Sequence, residues 1–195
     1  PQKSPWYEGP AEDRIYSNRK RRERLDKHGM VVYRSHSNWD ALAQDGVHDQ
    51  AVSSLGIEEL TVVSRQKFFA VVELPEPMTV QDLKQRVQHG LGFASCRLFG
   101  DGDKSIRRFS FLIGGFGENQ SNMPQAAMEM GAEAVIIGEM SEFIVIACLE
   151  MGLPVIESLH SISEIPAIRR QAEILSERFP DLRVEYIPSG ATAFM

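Results

Sequence analysis

The fold is decided by residues 131–160, which read GAEAVIIGEM SEFIVIACLE MGLPVIESLH. Residues 135–137 and 154–156 are short apolar runs rich in Val and Ile, as expected of buried strands. Between them, residues 139–151 form a segment of helical length that Gly152 ends. Strands that alternate with helices in this way are typical of an α/β sheet covered by helices.

The same alternation extends along the rest of the chain. We predict further strands at residues 30–33, 60–63 and 68–74, and we expect residues 30–33, 135–137 and 154–156 to be core strands. Helices are predicted at residues 17–27 and 163–179, and a helix-like stretch is predicted to run from Asp40 to residues 55–56. Residues 96–99 and 106–113 are predicted to pair as a hairpin.

Composition and charge limit the class of protein. Of the 195 residues, 43% are hydrophobic, so the chain can bury a core as one domain or two small lobes. The net charge of −6 argues against a surface that coats nucleic acid. The basic residues 19–24 lie on a predicted helix, for which a solvated face is favoured over a nucleic-acid contact.

No feature of the sequence predicts a membrane partner. The longest apolar run, residues 143–149, is too short to span a bilayer, and there is no signal peptide. Cys96 and Cys148 lie far apart in apolar surroundings, so we expect reduced core thiols in a cytoplasmic protein. The chain begins at Pro1 without an initiator Met, and we expect further residues upstream.

A local pattern that occurs twice is the main candidate for chemistry. His36 follows a predicted strand, with Asp40 four residues later, and His160 and Glu164 repeat this arrangement. Ligand sites in α/β sheets lie outside the carboxyl ends of strands, so neighbouring strands would bring these side chains together. Such donors suit Zn, Mn, Fe or Ni, and carboxylates can bridge two ions. Alternatively, both acids simply favour helix N-termini, and each His is an ordinary loop residue.

A glycine-rich run, GGFG, occupies residues 114–117 between a predicted strand and a predicted helix. The backbone N–H groups of Gly114, Gly115 and Gly117 can cradle an anionic group of a substrate. The run lacks the Lys and Ser/Thr of a Walker loop, and the alternative is a tight turn with close backbone approach.

Five blocks of sequence keep the order and spacing of a known family over nearly the whole chain. VYRSHSNWDA at residues 32–41 is similar to a strand followed by H-t-n-l-D-a, and residues 46–56 are similar to G-v-n-d and a-L-G-l. The glycine run resembles g-G-s-G, GAEAVIIGE at residues 131–139 resembles G-a-D-v-l-i-t-G-E, and LHSISE at residues 159–164 resembles G-H-y-a-t-E. The family with these motifs is the Nif-three-like family, often labelled GTP cyclohydrolase I type 2 homologues.

The resemblance implies a three-layer α/β/α fold of two similar, intertwined lobes in a single unit over residues 1–195, with a lobe boundary near residues 65–105. It also implies a ring-shaped hexamer with up to two divalent metal ions per subunit. By position, Asp40, His160 and Glu164 match the family's metal ligands, and His36 matches a His at the site edge that is a ligand or a proton donor. The residues assigned to substrate binding are Gly114, Gly115, Gly117 and Glu139.

Three positions depart from the family pattern. The family's paired His ligands match positions upstream of Pro1. Residues 138–143 lack the His residues that many members carry there, and Leu159 replaces a Gly beside the metal-binding His.

Two functions follow from these residues and the resemblance. The leading hypothesis is a dinuclear-metal hydrolase of a small phosphorylated or heterocyclic, nucleotide-like compound, in which His36 transfers a proton. The alternative is a non-enzymatic, metal-dependent binding or regulatory scaffold protein.

Overall fold

The computed structural model describes residues 16–116 and 122–188, which belong to two compact units, Pro1–Ser37 and Asn38–Met195. The first unit contains helix α1 (Tyr16–His28), as the sequence predicts. All six Lys and Arg side chains of α1 are exposed, and Lys20 pairs with Glu23 at 2.6 Å. The basic run therefore forms an exposed, charged helix face.

Residues 30–33 of the first unit do not form a strand, so this prediction is wrong. Val31 and Tyr33 expose 94% and 86% of their surface, and none of the described strands pairs with this segment. A strand is stable only when a neighbour satisfies its backbone hydrogen-bonding groups. Apolar, β-branched composition without such a neighbour does not make a strand here.

The second unit is built on a mixed sheet, to which its described residues contribute six strands. They are β1 (Thr61–Arg65), β2 (Ala70–Thr79), β3 (Arg97–Phe99), β4 (Ser105–Phe116), β5 (Ala134–Met140) and β6 (Val155–Glu157). Their spatial order is β1-β2-β4-β5-β6-β3. Strands β4, β5 and β6 run parallel to one another, and the other neighbouring pairs are antiparallel.

Helices cover both faces of this sheet. They are α3 (Val47–Ser54), α4 (Val80–Leu91), α5 (Met123–Glu129), α6 (Glu142–Glu150) and α7 (His160–Arg178). The short helix α2 (Ser37–Asp40) precedes them in the chain and begins in the first unit. Successive side chains of a strand point to opposite faces. Ala134 and Ile136 of β5 accordingly join an apolar cluster with α3, α4 and α7, whereas Val135 and Ile137 join a second cluster with α5 and α6. The predicted α/β/α fold class is confirmed.

The hairpin predicted from residues 96–99 and 106–113 is wrong. Strand β3 pairs with β6, and β4 pairs with β2 and β5. Phe109, Phe111 and Leu112 of β4 are fully buried, so β4 suits a central position with a neighbour on each side. The three-residue strand β3 is only partly buried and suits the edge of the sheet. The lobe boundary near residues 65–105 stays a prediction.

Both cysteines are free and buried, as predicted. Cys96 belongs to the first apolar cluster and Cys148 to the second, so they lie on opposite faces of the sheet. Burial raises the pKa of each thiol to about 11, which keeps both protonated near neutral pH.

No helix within residues 16–116 and 122–188 has both the length and the apolar composition that crossing a bilayer requires.

Candidate metal centre

The candidate site lies at the carboxyl ends of the three parallel strands. Strand β4 carries Gly114 and Gly115 near its end, β5 carries Glu139, and His160 follows β6 after two residues. Gly115 and Glu139 are direct partners in the β4–β5 pairing. This edge is where α/β sheets characteristically bind ligands, and strand pairing fixes the relative positions of the residues.

The imidazole of His160 lies between two carboxylates. Its Nδ1 is 2.9 Å from Oε1 of Glu139, and its Nε2 is 3.1 Å from Oε1 of Glu164. All three side chains remain partly exposed to solvent. The ring therefore contacts a different acid with each nitrogen.

The contact between His160 and Glu164 follows from where helix α7 begins. The sequence prediction placed the helix start at residue 163, but α7 starts at His160. Side chains four residues apart in a helix lie on the same face, so His160 and Glu164 are neighbours within one helix. The His is therefore held by the helix instead of lying in a preceding loop.

Leu159 shows why the related family carries Gly at this position. Its φ is +85°, a region that glycine enters readily and that costs other residues about 1–3 kcal/mol. The Leu159 N–H donates to the carbonyl of Gly138 at 2.7 Å, which joins the end of β5 to the start of α7. The chain keeps this turn, which orients His160, although a Leu occupies it.

Gly114 and Gly115 pack directly against the two His160 contacts. A Cβ on Gly114 would lie 2.9 Å from His160 Nε2 and 3.1 Å from Glu164 Oε1. A Cβ on Gly115 would lie 2.6 Å from Glu139 Oε1 and 2.8 Å from His160 Nδ1. A Cβ at either position would displace these side chains, and the φ of +67° at Gly114 also favours glycine. Both observations favour the close-approach interpretation of the glycine run.

The substrate-binding role assigned to the glycine run stays a prediction. Gly117 lies outside the described residues. The close packing at Gly114 and Gly115 is an independent reason for glycine there, and it requires no substrate.

The two acids change the ionisation of His160. The hydrogen bond with Glu164, opposed by burial and assisted by the hydrogen bond with Glu139, raises the pKa of His160 to about 9. Without a metal ion, the ring is therefore an imidazolium near neutral pH, and each of its N–H groups donates to a carboxylate.

Asp40 is the last residue of the short helix α2 and does not open a longer helix. The chain turns tightly after it, since a Cβ on Gly46 would lie 2.1 Å from the carbonyl oxygen of Leu42.

Trp39, which precedes Asp40, donates its indole N–H to the carbonyl of Ala167 at 3.1 Å. Ala167 lies in α7 three residues beyond Glu164, so the segment around Asp40 is anchored beside the helix that carries the His–Glu pair. That Asp40 shares a coordination sphere with His160 and Glu164 stays a prediction.

His36 belongs to the first compact unit. Its side chain is exposed, and its Nδ1 lies 3.0 Å from a terminal nitrogen of Arg34. Its predicted role at the edge of the site stays a prediction.

The His160–Glu164 pair has a spacing that fits a shared metal ion. Two ligands each about 2.0–2.2 Å from one ion, at angles of about 90–110°, lie about 3.0–3.5 Å apart. The observed separation of Nε2 and Oε1 is 3.1 Å. Imidazole nitrogen with carboxylate oxygen is a donor set that suits divalent zinc, manganese, iron or nickel. Within residues 16–116 and 122–188, however, no three His, Cys, Asp or Glu side chains form a complete metal-binding cluster.

Sequence reasoning missed the contact between Glu139 and His160. The pattern placed Glu139 at a helix start, whereas the structure places it in β5. The family motif at residues 131–139, which ends in Gly-Glu, marks Glu139 as a candidate site residue. Its contact with His160 could not be predicted, because it depends on the pairing of parallel strands that are distant in sequence.

The fold and these contacts define an α/β protein with a histidine–carboxylate site at the ends of parallel strands. The chain belongs to the DUF34/NIF3 family, described as Duf34/NIF3 (NGG1p interacting factor 3), whose family model matches residues 8–192.

Individual relatives agree with this membership. A GTP cyclohydrolase 1 type 2 homolog of Clostridium perfringens is 30% identical over 171 residues, which cover 85% of this chain and 63% of that protein. The solved structure of protein ybgI, of unknown function, is 27% identical with a TM-score of 0.76, covering 88% of this chain and 68% of that chain. A Bacillus cereus protein related to NIF3 matches the fold alone, with a TM-score of 0.79 at 13% identity over 96% of this chain and 80% of that chain. The chain thus spans about 63% of the length of the Clostridium perfringens relative.

Proposed function

We propose that this chain carries the metal site of a metal-dependent hydrolase that acts on a small phosphorylated or heterocyclic, nucleotide-like compound. The observation that carries the proposal is the His160–Glu164 pair, whose 3.1 Å separation suits two ligands of one ion. The pair lies at the sheet edge where α/β proteins bind small molecules. The name of the relatives, GTP cyclohydrolase 1 type 2 homolog, supports the choice of a heterocyclic substrate.

In this proposal, Asp40, His160 and Glu164 would be the side chains that hold up to two divalent ions, Asp40 as a carboxylate ligand. A bound divalent ion supplies Lewis acidity and activates water near neutral pH. Helix α7 holds His160 and Glu164 in register, and the glycine run leaves room for both side chains. His36 accepts or donates the proton that the hydrolysis requires.

Metal analysis combined with a turnover screen tests this function. We expect purified protein to retain zinc, manganese, iron or nickel after dialysis and to hydrolyse at least one member of a panel of nucleotides and sugar phosphates. His160→Ala should abolish both properties, whereas His89→Ala, an exposed His on α4, should leave both unchanged. Metal-dependent binding of panel compounds without turnover would replace the hydrolase with a scaffold protein.

We also propose that the protein forms a homohexamer. The support for this proposal is that the chain belongs to the DUF34/NIF3 family. The resemblance of its sequence to that family implies a hexamer. Light scattering at micromolar concentration should give a mass of about six subunits, and a monomer at every concentration would contradict the proposal.

A further inference from the structure

Glu139 contacts His160 on the side of the ring away from Glu164. Oε1 of Glu139 is 2.9 Å from Nδ1, a normal length for an N–H···O hydrogen bond. In the pairing of β4 with β5, Glu139 lies opposite Gly115. A Cβ at residue 115 would crowd both atoms of this hydrogen bond. The backbone of β4 therefore packs directly against the contact between Glu139 and His160.

The two ring nitrogens therefore have separate partners. Nε2 lies beside Glu164 in the same helix, and Nδ1 lies beside Glu139 in a different element. An imidazole that binds a metal ion through one nitrogen almost always donates the N–H of the other to a carboxylate or carbonyl group. Because Glu164 is the acid assigned to the proposed metal site, Glu139, at 2.9 Å from Nδ1, is left as that outer acceptor.

We propose that Glu139 is a positioning residue that holds His160 with Nδ1 protonated and Nε2 free to bind a metal ion. The inference rests on the proposed metal site. It assigns to Glu139 a different role from the substrate contact that the sequence suggested. It also explains why Gly115 is a glycine, since a larger residue would displace the hydrogen bond that orients the ring.

Zinc affinity gives the first test. We would measure it by competition with a chromogenic chelator for the 195-residue chain and its variants. Glu139→Ala should weaken zinc binding by about 10–100-fold, the usual effect of losing an outer partner of a metal-binding His. Glu139→Gln should bind more tightly than Glu139→Ala, because its amide oxygen still accepts the Nδ1 proton. Glu142→Ala, at the exposed start of α6, is the matched control and should leave the affinity unchanged.

The ring nitrogens give a second readout that a general loss of stability would not reproduce. In zinc-loaded protein labelled with ¹⁵N at His, the wild type should coordinate through Nε2 and keep the proton on Nδ1. Glu139→Ala should lose this single state, because the ring can then rotate and bind through either nitrogen. Unchanged zinc affinity and unchanged Nε2 coordination in Glu139→Ala would overturn the positioning role, even if the wild type proves to be a metal-dependent hydrolase.

A metal-free experiment separates failure of the inference from failure of the proposed function. In chelator-treated wild-type protein, the Nδ1–H signal of His160 should be protected from exchange with water. It should lose that protection in Glu139→Ala but not in Glu142→Ala. If the wild type binds no metal ion, the proposed function fails, and the Nδ1–H signal still decides whether Glu139 orients the ring.

Discussion

At residue 115, a Cβ would overlap the side chains of Glu139 and His160, which would have to move to make room for it. Gly115→Ala would place a methyl group 2.6 Å from Glu139 Oε1 and 2.8 Å from His160 Nδ1. We expect the substitution to lower the free energy of unfolding by about 1–3 kcal/mol, the usual cost of overpacking. Urea denaturation measures this, with Gly102→Ala as the control, since its nearest neighbour is the mobile end of Leu98 at 3.1 Å. Equal stability of the two variants would contradict the close packing at residue 115.

The ionisation of His160 predicts how stability depends on pH in chelator-treated protein. Its pKa is raised from 6.5 to about 9, with the Glu164 hydrogen bond as the largest cause. Because the pKa of His160 is higher in the folded state, the protonated ring stabilises the folded protein. This stabilisation is fully present below pH 6.5 and is lost as the pH rises to about 9. Glu164→Gln should therefore be less stable than wild type at pH 6, with the difference shrinking by pH 9.5.

NMR titration of His160 and urea denaturation at several pH values check this prediction. Glu150→Gln, an exposed acid at the end of α6, is the control and should follow the wild type. A His160 midpoint that does not fall in Glu164→Gln would show that the contact between the two side chains is absent in solution.

At the scale of elements, the sequence locates the strands of the sheet better than it predicts which strands pair with one another. Strands β5 and β6 could be located because their side chains pack on both faces, which produces unbroken apolar runs. The position of β3 beside β6 depends on non-local pairing that no local pattern encodes. The same limit applies to the site, since the identity of His160 and Glu164 was visible but the approach of Glu139 through β5 was not.

The pairing of β3 with β6 places a buried acid beside a cation. Glu157 is 4% exposed and pairs with Arg97, its direct neighbour across the two strands. Arg97→Met should lower the free energy of unfolding by roughly 1–3 kcal/mol, because the buried carboxylate of Glu157 loses a partner whose own side chain is largely exposed. Chemical denaturation measures the loss. Arg183→Met is the control, since its pair with Glu185 is exposed and should contribute less than about 1 kcal/mol.

A second variant tests whether the buried charge is the cause. Adding Glu157→Gln to Arg97→Met should recover much of the lost stability, because the neutral amide is cheaper to bury than an unpaired carboxylate. If the double variant is no more stable than Arg97→Met, the effect lies in the packing of Arg97 and not in its charge.

At the scale of the whole molecule, the candidate site depends on segments that are far apart in sequence. Strands β4, β5 and β6 bring Gly115, Glu139 and His160 together, and the Trp39 hydrogen bond fixes the segment containing Asp40 along α7. Only the folded second unit can therefore assemble these donors. A metal ion that binds the folded chain but not the unfolded chain must stabilise the fold.

Metal removal tests whether Asp40, His160 and Glu164 act together as metal ligands. Free zinc at about 100 times its dissociation constant should stabilise the chelator-treated protein by about 2.7 kcal/mol. For a chain of this size, that corresponds to a rise in melting temperature of roughly 5–10 °C. Asp40→Asn, His160→Ala and Glu164→Gln should each remove most of this rise, whereas Asp103→Asn, in an exposed turn, should keep it. The Asp40 variant is the decisive one, because Asp40 comes from a different segment than the helix that carries His160 and Glu164. A full zinc-induced rise in Asp40→Asn would mean that any bound ion is held by α7 and its strand neighbours without Asp40.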